Sequence, residues 1–274
     1  MTAIDQALSY LDREGRSVDT AWARIATGKT GDPAEALEAL AAYQNPNGGF
    51  GHGLEPDIAA PESNPFAARI ALQILCDIGA SPTEPVVKGL LGWLVANQED
   101  DGGWRFSPEV YAHDLAPWFA GWTFPSLNPS LDLAGFVARL RLDAPELQQR
   151  TLALFRDLAS LDTIGAGGFY DVLPFAEYTP WVDHPDRDAY LAAIIAHVAT
   201  TAETGGYEDA GHFFEHAGPP HGLIARGLSP NLIAAQLARL REEQQPDGGW
   251  PTPYDVAWRS WTTARNAATL AAFG

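Results

Sequence analysis

Gln44–Phe50 reads QNPNGGF, Gln98–Trp104 reads QEDDGGW and Gln244–Trp250 reads QQPDGGW. The same seven-residue phrase thus occurs three times: glutamine first, Asp or Asn fourth, two glycines, then an aromatic. Asp or Asn ahead of glycine is tight-turn chemistry, and glycine ends a helix with a positive φ at little steric cost. The glutamine, near the end of the preceding helix, can pair its amide with backbone groups. The aromatic packs back across the turn. Nothing in the phrase supplies a nucleophile or a proton donor aimed at a substrate, so by itself it is scaffold.

Relaxing the pattern to Gly-Gly-aromatic adds TIGAGGF at 163–169 and TAETGGY at 201–207, giving five copies at roughly 40–65-residue spacing. Apolar spacing predicts an amphipathic helix before most copies: Pro33–Tyr43, Glu84–Asn97, Asp186–Thr201 and Pro230–Glu243. Asp32-Pro33, Ser81-Pro82 and Ser229-Pro230 pair a capping residue with a proline near the first turn. A loop and a second, more apolar helix follow each phrase, most plainly Phe66–Ile78 and Val256–Phe273. Strand alternation is nearly absent. The expectation is all-α: a single domain over residues 1–274, an (α/α) barrel of five to six helix pairs, with Met1–Gly28 supplying a further pair. Long, irregular loops favour closure into a ring over an open solenoid.

The three strong phrases resemble the QW repeats of the squalene–hopene cyclase and protein prenyltransferase β-subunit superfamily. The resemblance runs from about residue 33 to 272 and implies an α/α toroid whose central cavity handles apolar isoprenoid chains. It does not bring the catalytic signatures with it. No D-x-D-D or D-D-x-x-D occurs; the nearest string, Glu99-Asp100-Asp101, lies inside a turn phrase. The Asp–Cys–His zinc set of the prenyltransferases has no counterpart, since the one cysteine, Cys76, sits in an apolar helix and reads as structural.

Composition limits the partners. Net charge is −18, with no Lys/Arg cluster, which makes nucleic acid a poor partner. No apolar run is long enough to span a membrane and no signal peptide is visible, so the expected location is cytoplasmic. No cofactor is predicted. Mg2+ or Zn2+ would be the ions for two weak candidates: the acidic string Asp183–Asp188, also readable as a helix N-terminus, and the pair His212/His216, spaced for one helix face.

Chemistry is expected in the loops after each phrase, which gather at one rim of the barrel. GHGLEPD, residues 51–57, is the sharpest: Glu55 and Asp57 are candidate catalytic acids, with His52 beside them. A carboxyl held among apolar walls gains the raised pKa of a general acid. The bland alternative makes these acids helix caps. Asp255 is a further catalytic candidate that also fits an N-cap. Candidate substrate contacts are Trp104, Asp114, Trp118, Tyr170, Glu177, Trp181, Glu208, His212, Tyr254 and Trp258, the aromatics offering cation–π faces to a carbocation. Three functions remain open: a terpene-cyclase-like enzyme acting on a small apolar or isoprenoid substrate, a carbohydrate-active barrel with paired carboxylates, and a non-catalytic lipid- or partner-binding barrel. Oligomeric state is not legible.

Overall fold

The computed structural model describes Met1–Gly274. The chain is helical throughout, its only β contacts being the isolated bridges Gln44–Phe50 and Ile58–Leu115. Helices come in pairs of one outer and one inner member. They are α1 (Ala3–Glu14) with α2 (Ser17–Ala26), α3 (Pro33–Ala41) with α4 (Pro65–Asp77), and α5 (Pro85–Asn97), then the short α6 (Pro117–Ala120), with α7 (Leu127–Arg139). Next come α8 (Pro145–Leu158), the short α9 (Leu161–Ala166) and α10 (Phe169–Tyr178); then α11 (Arg187–Glu203) with α12 (Ala210–Ala217). The short α13 (Leu223–Gly227) precedes α14 (Pro230–Glu242), which pairs with α15 (Arg259–Phe273). The inner helices α2, α4, α7, α10, α12 and α15 pack side by side in that order, and α15 returns to α2. The result is a closed ring of six pairs. α4 and α7 are buried along almost their whole length, since other helices cover them on every side.

The repeated phrase explains how the ring is held. Gln44 Nε2 donates to Gly48 O of its own turn and to Val86 O at the start of α5, both at 2.9 Å. Gln98 Nε2 donates to Gly102 O and to Leu147 O on α8, and Gln244 Nε2 to Gly248 O and Ala3 O on α1. Each glutamine therefore ties its turn to the next outer helix, and the last closes the ring onto the first helix. Gly48, Gly102 and Gly248 have φ of +89°, +87° and +96°. A Cβ at these positions would strike the carbonyl of Gly89, Arg150 or Gln6, so glycine meets a need for both conformation and close approach. The indole N–H groups of Trp104 and Trp250 donate to Leu94 O and Leu240 O at the ends of α5 and α14.

The relaxed copies build something else. In TIGAGGF, Leu161–Ala166 is itself helix α9, and Gly167 and Gly168 have negative φ, acting as the break before α10. In TAETGGY, Gly205 is a helix-terminating glycine (φ +71°) with no neighbouring backbone near it. Predicted Val256–Phe273 divides into a 3-10 turn, Val256–Trp258, capped by Asp255, and then α15. No helix is long and apolar enough to cross a membrane.

Candidate active site

A cavity of about 330 Å3 lies inside one end of the ring. Aromatic side chains stand in its walls beside polar and charged ones: Phe66 on α4, Trp118 and Phe119 on α6, Trp122, Phe169 and Tyr170 on α10, Tyr254, Trp258, and Trp261 on α15. A side cluster in which Phe66, Phe106, Phe119 and Trp122 pack edge to face seats the 105–126 segment over it. Trp118, half exposed, stands at the mouth.

Glu55 sits in the wall with 5 % of its surface exposed. The loop bringing it there starts at the first phrase: Gly51 N donates to Tyr43 O, and Ile58 N to Glu55 O. Burial, and then the charge of Asp57, push the Glu55 carboxyl up to about 8; Arg69 and Arg16 only partly offset this. At neutral pH it carries its proton. Asp57, half-buried in the same wall, is also raised by burial, with the Trp258 indole N–H opposing and Asp255 adding.

Opposite is a polar chain, hydrogen-bonded from Tyr170 to His212 and completed by an ion-pair contact with Asp209. Tyr170 O–H donates to Tyr254 O at 2.6 Å, Tyr254 lies 3.0 Å from His212 Nε2, and His212 Nδ1 lies 2.9 Å from Asp209. Burial alone would lower the His212 pKa, but Asp209 and Glu215 outweigh it and the net shift is upward. An imidazole placed in this way accepts a proton readily.

Beneath the aromatic walls lies an ionic layer. Arg69 on α4 pairs with Asp132 on α7 at 3.0 Å, both buried, and Arg265 on α15 pairs with Glu215 on α12 at 3.1 Å. Removing one member of a buried pair leaves the other charge uncompensated, so Asp132→Ala is expected to cost about 3–5 kcal/mol in chemical denaturation. A loss under 1 kcal/mol would show that Arg69 finds another partner.

The sequence candidates divide clearly. Glu55, Asp57, Trp118, Tyr170, His212, Tyr254 and Trp258 share the cavity. His52 does not: it is exposed, at φ 55°, with Nε2 held by Asn45 Oδ1 at 2.9 Å. Asp255 points away and caps the 3-10 turn through Ala257 N, acting on the site only through its charge. Trp104 is buried in the turn clamp rather than in the cavity. Asp114 and Glu208 are exposed, their backbone carbonyls serving as acceptors for Ala59 N and Arg239. Glu177 and Trp181 line a second cavity, of about 270 Å3, with Gln73, Cys76, Asp77 and Arg139. Burial raises Glu177 to about 7, and Arg139 lies over the Trp181 ring.

The two-histidine metal site does not form. His216 is fully buried, bonded to Tyr207 O–H and Phe169 O, and burial drives it down to about 3. No three His, Cys, Asp or Glu side chains anywhere are grouped to hold a metal ion. In the acidic string, His184 Nδ1 bonds Pro185 O and Asp186 sits at the start of α11, as a helix N-terminus does. The residues sequence reasoning missed are Arg69, Asp132, Arg265 and, as a partner for His212, Asp209. Their one signal was a lone charge inside an apolar helix, as in FAARIALQIL.

The fold is a terpenoid-cyclase-like α/α toroid. Among solved structures it is similar to the type II terpene cyclase MstE from Scytonema in its apo form, at 14 % identity and TM-score 0.61, covering 98 % of this chain and 96 % of that one. It is also similar to substituted forms of MstE holding the product merosterolic acid A (16 %, TM-score 0.65) or the substrate geranylgeranyl dihydroxybenzoate (15 %, 0.60), each covering 98 % of this chain and 95 % of the other. No protein-family model matches the chain, and no curated protein matches it in sequence.

Proposed function

We propose that the protein is an acid-initiated cyclase of an isoprenoid, working in the aromatic cavity as a single ring domain. The observation carrying this reading is Glu55: a buried carboxyl, pushed up to about 8 by burial and Asp57, in the wall of a cavity that aromatic rings also line. Its O–H protonates a substrate C=C, and the carbocation passes between ring faces, each worth about 0.5–2 kcal/mol of cation–π attraction. The closing step returns a proton. As the cation loses it to the Tyr254 oxygen, Tyr254 passes its own phenolic proton to His212 Nε2, and Asp209 balances the imidazolium. Half-buried Asp57 offers the route by which Glu55 is reprotonated. The likeness to a type II terpene cyclase supports the same reaction class. A sugar is the less favoured occupant because most of the surface that the lining exposes is apolar, although polar and charged side chains stand among the aromatic ones.

The test is direct. Purified protein incubated with farnesol, geranylgeraniol and squalene is expected to give a cyclic isomer, of unchanged mass or one water heavier, from at least one of them by gas chromatography–mass spectrometry. Tyr254→Phe is expected to slow turnover roughly 10–100-fold and broaden the product mixture. No product from any substrate would overturn the reading.

A further inference from the structure

We infer, resting on the cyclase reading above, that the isoprenoid this cavity accepts is uncharged and bears no phosphate group. Binding a diphosphate requires free cations, free helix N-termini or a metal held by carboxylates. Here the cations face carboxylates, the helix starts are partly taken by the protein's own acids, and no carboxylate cluster is formed.

Consider the cations first. The only lysines are Lys29, paired with Asp5 on α1, and Lys88, on the exposed face of α5. The cavity walls hold Arg69, Arg265 and His212, the last already matched by Asp209 and Glu215. Arg69 is paired with Asp132 and also faces Glu177 and Glu215; Arg265 is paired with Glu215. Arg69 Nη2 and Arg265 Nη1 lack a hydrogen-bond partner, but both atoms are buried and the carboxyls of Asp132, Glu177 and Glu215 outnumber the two guanidiniums.

Helix termini would be the next resort, because their free N–H groups attract phosphate. α12 opens against the cavity, yet Ala210 N donates to Glu243 at 3.0 Å and His212 N to Asp209 at 2.9 Å. At the start of α10, Gly168 N donates to Asp171 at 2.8 Å. The protein's own carboxylates therefore occupy part of each helix start and set a negative charge where an anion would approach. Bridging through a metal would need a carboxylate cluster, and none is formed. An incoming diphosphate would instead face Asp57, Asp209 and Glu215 across a desolvated wall. An uncharged head meets no such repulsion and can bond the Tyr170–Tyr254 hydroxyls.

The cavity volume sets the probe. About 330 Å3 filled at interior packing density takes roughly 250 Å3 of atoms, about a fifteen-carbon chain. Farnesol and farnesyl diphosphate are titrated into the wild-type protein at low salt, with and without Mg2+, following tryptophan fluorescence. Farnesol is expected to bind at least tenfold more tightly, and added salt is expected to narrow the gap by screening the repulsion. Glu215→Gln, which releases Arg265, is expected to improve diphosphate binding about fivefold or more. Equal or tighter binding of the diphosphate, or its conversion to a cyclic product, overturns the inference while leaving the cyclase reading standing. If neither ligand binds and no isoprenoid is turned over, the cyclase reading falls and the inference with it.

Discussion

Glu55→Gln is expected to abolish turnover, by about 10³-fold or more, while making the protein more stable at neutral pH. The loss follows from the chemistry, since an amide cannot protonate an alkene. The gain follows from proton linkage. In the unfolded chain Glu55 ionises near 4.5, in the ring at about 8. A carboxyl whose folded pKa is raised contributes fully below the unfolded value, and that contribution is lost as pH rises through the folded one. At pH 7 the native state has forgone about 3 kcal/mol by keeping this proton. Glutamine is uncharged at every pH, so the substituted protein should match the wild type near pH 4.5 and exceed it increasingly up to pH 8. At pH 7 a Tm gain of about 5–10 °C is expected. Wild-type kcat/KM should fall about tenfold per pH unit above 8. A pH-independent stability difference would show that Glu55 is not a buried acid, and a fully active Gln variant would remove it from the chemistry.

The second large effect is at the ring seam. Gly248→Ala is expected to cost about 4 kcal/mol, measured by denaturant unfolding. An alanine at φ +96° costs about 1–2 kcal/mol, and its Cβ would also displace the Gln6 carbonyl and lift α1, with its buried Ala7, Tyr10 and Leu11, off the last turn. Gly205→Ala is the control: φ is again positive (+71°), but nothing lies near the added Cβ, and about 1 kcal/mol is expected. Equal losses at the two sites would show that conformation alone matters and that the close approach of neighbouring outer helices does not hold the ring.

Much of the frame was legible because its determinants are local. Asp32-Pro33 and Ser229-Pro230 mark where α3 and α14 start, whereas Ser81-Pro82 falls in a turn and α5 begins at Pro85. Glutamine with paired glycines marks where a helix stops and locks. The phrase also pointed to the loop whose Glu55 and Asp57 line the cavity. What could not be read is what ring closure brings together. Arg69 and Asp132 stand 63 residues apart, and nothing in either helix announces the other. Loop side chains were legible as residues but not as directions. His52 and Asp57 flank the same short turn, yet the positive φ at His52 sends it to Asn45 at the surface while Asp57 faces the cavity. The degenerate copies misled for a related reason: Gly-Gly-aromatic survives as a string after the close approach that made it a clamp is gone.

The uneven distribution of those clamps gives the ring an uneven stiffness. They tie α3 to α5, α5 to α8 and α14 to α1, but the joints α1–α3, α8–α11 and α11–α14 have none. Arg239 on α14 and Glu243 at its end bond the segment after α11, and the short helices α9 and α13 pack against α11. Glu55 and Arg69 belong to the stapled arc, whereas Tyr170 and His212 belong to the unstapled one. Amide exchange should therefore run faster through α11 and α12 than through α4 and α5. Under the cyclase reading proposed above, the acid is then held on a fixed wall while the side that would receive the proton yields, which would let a bulky, newly rigid product leave without moving Glu55.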